Sequence, residues 1–170
     1  MTMVEMELKQ KVELAKARGT DPAILLELSK DEDERVRYWV AWNFSCPEEA
    51  FPALAREENW TIREAIAKQR RARGVLYELS NDPHYAVRIE AVRNPFATKQ
   101  IMWERAHDPE WIVRREVAIN SKARDVEALE LLADDECDFV RMEVARNIHT
   151  PREKKAKLKA EGMHLGLMCS

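Results

Sequence analysis

VRYWVAWN, Val36 to Asn43, returns four more times along the chain: IREAIAKQ at Ile62–Gln69, VRIEAVRN at Val87–Asn94, VRREVAIN at Val113–Asn120 and VRMEVARN at Val140–Asn147. Aligned on Arg37, Arg63, Arg88, Arg114 and Arg141, the copies are 26, 25, 26 and 27 residues apart. An acid stands six positions before each Arg: Asp31, Glu57, Asp82, Asp108 and Asp135. An amide stands six positions after it: Asn43, Gln69, Asn94, Asn120 and Asn147. Apolar residues fill the offsets −12, −1 and +3 in every copy, as in Leu25, Val36 and Val40. A period between about 20 and 50 residues is the mark of a stacked-repeat architecture.

Each copy reads as two short helices. Thr20 or Asp21, Ser45, Thr98, Asp125 and Thr150 are candidate N-caps, and Pro22, Pro47 and Pro151 fall at or near a first helical turn. The third copy, RRARGVLYEL, lacks these start signals. The second helix follows the acid, and its apolar offsets −1, +3 and +4 form one face. The Asn at +6 is expected to end it in the left-handed conformation that Asn tolerates. The expected fold is all-α: a right-handed α-α superhelix, or solenoid, of about five to six two-helix repeats. The expected organisation is one repeat domain over residues 1–170. Within it, 1–19 is an N-terminal capping helix, 20–147 five repeats, 148–162 a terminal half-repeat and 163–170 a tail.

Composition agrees with this reading. Only four Gly occur, against 45% hydrophobic and 35% charged residues, which favours helices. No apolar run approaches the ~20 residues that cross a bilayer. The N-terminal stretch lacks the apolar core and cleavage site of a secretory signal. Cys46, Cys137 and Cys169 are odd in number and far apart, which fits a reduced, cytoplasmic chain. Charge is uneven: residues 1–60 carry 8 basic and 13 acidic groups, residues 61–124 carry 13 and 8, and residues 125–170 carry 7 and 10.

The acid and Arg at fixed offsets are expected to be structural. A carboxylate at a helix N-terminus is favoured by the helix dipole, and stacking would bring each acid to an Arg of its own or a neighbouring copy. The expected ladder comprises Asp31, Arg37, Asn43, Arg63, Asp82, Arg88, Asn94, Asp108, Arg114, Asn120, Asp135, Arg141 and Asn147. The pattern L-x-x-L-[SA]-x-D-x5-R-x5-N resembles HEAT-like repeats over about residues 20–162. It is closest to the variant leucine-rich repeat group of bacterial proteins. Glu57, Gln69 and Arg105 depart from that pattern. The resemblance leaves open whether the second helix is α or 3₁₀; the 25–27-residue period favours α.

In HEAT-like proteins the second helix usually lines the concave face. The variable offsets +1 and +5 on that helix are the expected partner-binding ridge: Tyr38, Trp42, Glu64, Lys68, Ile89, Arg93, Arg115, Ile119, Met142 and Arg146, with Trp39 added at +2. Aromatic residues and Arg are frequent anchors of protein interfaces. A second reading packs Tyr38, Trp39 and Trp42 against the N-terminal helix as terminal core. Trp60 and Trp111 are expected to plug the joint between helices, and Trp103 to be core or outer surface. Lys68, Arg70, Arg71, Arg73, Arg93 and Arg115 form a candidate phosphate-binding set.

No catalytic, metal or cofactor motif is present in the sequence. The expected function is a non-catalytic scaffold that binds a protein partner. The alternative is a nucleic-acid binder, since one group of alkylated-base DNA glycosylases is built from HEAT-like repeats; their catalytic motif has no residue-by-residue match here.

Overall fold

The computed structural model describes residues 6–162. The tail at 163–170 and the start of the N-terminal helix at Val4 lie outside them. Twelve α-helices and no strand occur among the described residues. The chain forms two compact units, Met1–Asn94 and Pro95–Ser170.

The first unit holds α1 (Leu8–Lys16), α2 (Pro22–Leu28), α3 (Glu34–Trp42), α4 (Phe51–Leu54), α5 (Trp60–Lys68), α6 (Leu76–Ser80) and α7 (Tyr85–Arg93). The motif helices α3, α5 and α7 are full α-helices of nine residues each. Helix α1 packs on α3, α3 on α5 and α5 on α7, while α2, α4 and α6 each pack on the motif helix that follows. The 3₁₀ pieces lie before the first helix of a copy, at Glu48–Ala50 and Ala72–Gly74. That is where the third copy lacked start signals.

The second unit holds α8 (Lys99–Arg105), α9 (Trp111–Asn120), α10 (Val126–Leu132), α11 (Asp138–Arg146) and α12 (Arg152–Ala160). Helices α9 and α11 pack together, α12 packs on α11, and α10 touches both α9 and α11. Helix α12 is strongly charged and buries only Leu158. Gly162, at φ 83°, follows its C-cap, the left-handed position that costs Gly nothing.

The core is the one that the repeat offsets mark. Val36, Ile62, Val87, Val113 and Val140 at −1 are fully buried, as are Val40, Ile66, Ala91, Val117 and Val144 at +3. Leu25, Phe51, Leu76, Met102 and Leu129 at −12 are buried as well.

Two expectations about helix ends need correction. Asn43, Gln69, Asn94 and Asn147 do stand at helix C-caps, but in extended backbone, with φ between −61° and −77° and ψ between 124° and 130°. None adopts the left-handed turn. Their side chains reach back one repeat instead. The Asn43 amide donates to the Ala15 and Ala17 carbonyls, Gln69 to Ala41 and Asn43, Asn94 to Ala67 and Gln69, and Asn147 to Ala118 and Ser121. One amide thus satisfies two helix-end carbonyls that lack intrahelical partners. Asn120 does not join them. Helix α9 runs to Asn120 with Ser121 as its C-cap, and the Asn120 amide donates to Glu116 of its own helix.

The N-caps also differ from the reading in part. Asp21 and Thr98 cap as expected, accepting from Ala23 and Ile101. Thr20 and Thr150 donate instead to the Leu14 and Val144 carbonyls. Ser45 donates to the Arg18 carbonyl. Asp125 accepts from the Lys122 amide ahead of its helix.

Candidate functional site

The acids and arginines must be placed first, because they decide which groups remain for a ligand. Arg37 grips Glu57 with two hydrogen bonds of 2.6 and 3.0 Å, Arg63 grips Asp82 at 2.6 and 2.8 Å, and Arg114 grips Asp135 at 2.7 and 3.0 Å. Each Arg therefore reaches the acid of the next copy. The third nitrogen turns home: Arg37 Nη1 donates to the Asp31 and Glu32 carbonyls, and Arg63, Arg88, Arg114 and Arg141 repeat this pair. A bidentate guanidinium–carboxylate pair is among the stronger polar contacts available to a protein. These carboxylates raise the Arg37, Arg63 and Arg114 pKa values, chiefly through their hydrogen bonds.

Asp31, Asp82, Asp108 and Asp135 also accept from the backbone amide two residues on. This Asx turn leads the chain into the motif helix. The acid is thus a turn former and a partner for the preceding Arg, more than a dipole partner. No Arg stands at the pairing distance before Asp31, and Lys11 takes that place at 2.8 Å, its pKa raised mainly by this hydrogen bond. Lys11 lies 26 residues before Arg37, so the repeat register itself pointed to it. Arg141 pairs with Asp138 in its own helix, while Glu161, 20 residues further on, pairs with Lys157. Asp108 pairs with Arg105.

With the ladder engaged in structure, the first unit leaves an aromatic cluster on α3. The Tyr38 ring meets Trp39 edge-on at 5.2 Å between centroids and lies 6.2 Å from Trp42. All three are half-buried, so they are neither closed core nor freely exposed. Lys16 of α1 sits 4.6 Å over Trp39, and Lys68 of α5 sits 4.6 Å over Trp42. Both contacts are in cation–π range. Glu64 holds Lys68 at 2.9 Å. The Trp42 indole nitrogen is enclosed and has no acceptor among the described residues.

The rest of the expected ridge divides. Ile89 is only 7% exposed and is withdrawn as a partner contact: its apolar side chain is taken into the folded interior. Arg93 bonds Glu90. In the second unit, Arg115 and Arg146 both bond Glu143 at 3.1 Å. Ile119 is exposed and Met142 half-buried.

The candidate phosphate set is largely matched by internal acceptors. Lys68 sits on Glu64, Arg93 on Glu90 and Arg115 on Glu143, and Arg71 donates to the Cys46 carbonyl with Glu48 nearby. Arg70 and Arg73 are exposed.

Trp60 and Trp111 do not plug joints. Each is the first residue of its motif helix and is exposed. Trp60 stacks on His84 at 3.9 Å, His84 stacks on Tyr85 at 5.1 Å, and Trp111 lies 5.6 Å from Phe139. Trp103 is exposed and meets the edge of His107. The sequence offered one signal for these exposed rings: Trp60, Tyr85 and Trp111 share the offset −3.

Cys46 is buried, and burial pushes its thiol up to about 12; it stays protonated at neutral pH and is no nucleophile. No group of three or more His, Cys, Asp and Glu residues is placed to hold a metal among the described residues. No described helix is long and apolar enough to cross a membrane.

Comparison with family models, with curated proteins and with solved structures finds no match to the chain.

Proposed function

We propose that the chain is a HEAT-like α-solenoid of about five to six two-helix repeats that acts in the cytoplasm as a non-catalytic scaffold for a protein partner. The recurrence of one bond set at repeat spacing supports the architecture: Arg37, Arg63 and Arg114 reach the next copy's acid, and Asn43, Gln69, Asn94 and Asn147 reach the previous copy's carbonyls. The observation that carries the function is the cluster of Tyr38, Trp39 and Trp42, half-exposed and flanked by two lysines that lie on the indole faces. Trp and Tyr are enriched among the residues that carry binding energy at protein interfaces.

The nucleic-acid reading draws less support, because most of its cations already face carboxylates within the fold. Phosphate contacts need cations whose charge is available to the backbone.

Affinity capture with the intact chain and with a Trp39→Ala/Trp42→Ala variant tests the proposal, with circular dichroism melts on both. The expected result is a partner lost from the variant while its helical signal is kept. Unfolding of the variant would make these rings core. An unchanged set of partners would remove the cluster as the site. Tight duplex DNA binding with a steep salt dependence between ~50 and ~200 mM would favour the alternative.

A further inference from the structure

The second unit carries an open groove of about 450 Å³ at the C-terminal ends of α9 and α11. Its apolar part is Ile119 and Ile148, which are 41% and 82% exposed. Two isoleucines held out in water beside one depression leave apolar area that a partner can cover.

The charges around the groove are sorted by depth. Glu143 is buried at 8% exposure, and its Oε1 holds Arg146 and Arg115 at 3.1 Å each. Glu116, beside Arg115, is buried at 4%. Lys122 and Arg146 are exposed on the groove. Lys122 makes no ion pair among the described residues. The carboxylates are thus the buried partners, and the exposed cations on the groove are Lys122 and Arg146.

Helix C-termini ordinarily present negative carbonyls. Here several are already used. The Asn147 amide takes the Ala118 and Ser121 carbonyls, the Ser121 hydroxyl takes Val117, the Asn120 amide takes Glu116 and the Thr150 hydroxyl takes Val144. Several of these carbonyls are thus engaged, and Lys122, which has no ion pair among the described residues, supplies the available positive charge on the groove beside Arg146.

We propose that this groove docks an extended acidic peptide segment of another protein, with an aliphatic side chain seated on Ile119 and Ile148 and an adjacent carboxylate on Lys122. The complementarity is of charge and of apolar contact together. A bare polyanion would meet the cations but leave the isoleucines wet. The proposal rests on the protein-binding reading but uses a different surface from the α3 aromatics.

The test uses the full chain with labelled isoleucine methyls and a short fluorescein-labelled peptide alternating glutamate and leucine. Two control peptides replace glutamate by glutamine or leucine by serine. The expected result is saturable binding that shifts the Ile119 and Ile148 methyl signals. Lys122→Glu should weaken it about tenfold, and Ile148→Ser about threefold or more, in line with loss of one anchoring contact. Both positions are exposed, so neither change should disturb folding. Absence of shifts at both methyls up to millimolar peptide would overturn the proposal. So would equal binding of the glutamine peptide, or equal competition by the serine peptide or by duplex DNA. If the peptide instead shifts the Trp39 and Trp42 indole signals, the groove is wrong and the protein-binding reading stands.

Discussion

In the first unit the amide ladder is continuous: Asn43, Gln69 and Asn94 each spend their side chain on carbonyls about 26 residues earlier. In the second unit Asn147 does the same, while Asn120 turns back onto its own helix. The two asparagines look alike in sequence, each six residues after the motif Arg. What separates them is one residue of helix: α9 has ten residues where α11 has nine. That extra residue absorbs the longest step, 27 residues between Arg114 and Arg141. It leaves Asn120 inside the helix and gives the cap to Ser121. A motif position therefore has its structural meaning only where the helix ends in register with it.

The comparison can be broken or sharpened by mutation. The largest effect is expected at Arg114, whose side chain is 9% exposed and which holds Asp135, Glu136 and two carbonyls. Arg114→Ala strands a nearly buried carboxylate and should cost about 3–5 kcal/mol in a urea melt. Arg35 also pairs with an acid, Asp33, but at 68% exposure. Arg35→Ala should move the urea midpoint far less than Arg114→Ala does, because an exposed pair is screened by water and salt. Similar losses at both sites would mean that burial does not set the value of these pairs.

Next come the asparagines themselves. Asn94→Ala leaves the Ala67 carbonyl without its donor in a buried site and the Gln69 carbonyl with the Ala72 amide alone, and should cost about 1–3 kcal/mol. Asn120→Ala removes only bonds within its own helix and should cost about 0.5 kcal/mol or less. Equal costs would show that the register argument is wrong.

The smallest effect concerns α12. Asp134 accepts hydrogen bonds from Lys154 and Lys157, which hold its carboxyl at about 2, below the usual 3.8. A depressed carboxylate stabilises the fold above its unfolded pKa, and the contribution fades as pH falls through the folded one. The clamp should be intact above about pH 4 and lost toward pH 2. Carboxyl carbon shifts read by NMR should give Asp134 the low midpoint. A midpoint near 3.8 would show that the clamp does not hold in solution.

The all-helical fold and its core were legible because their signals are periodic: the apolar residues at −1 and +3 are buried in every copy. The Arg–acid pairing was legible as a pair but not in its direction, since spacing alone allows the acid of either copy. The amide's task was not legible. A C-terminal Asn suggests a local left-handed cap, and nothing in the local sequence reports an acceptor one repeat away. Trp60 and Trp111 were misread for a similar reason: an aromatic ring suits either a joint or a surface, and spacing alone does not say which. Ile89 was misplaced because the offset +1 is half-exposed in some copies and buried in that one.

The central claim is that the Arg of one copy and the acid of the next form one structural unit. The most direct measurement is a double-mutant cycle on Arg63 and Asp82, whose side chains are 11% and 5% exposed and 2.6 Å apart. Urea melts of Arg63→Ala, Asp82→Ala and the double variant should give a coupling of about 2 kcal/mol or more, with the double variant hardly worse than either single one. Additive losses, with coupling near zero, would contradict the claim.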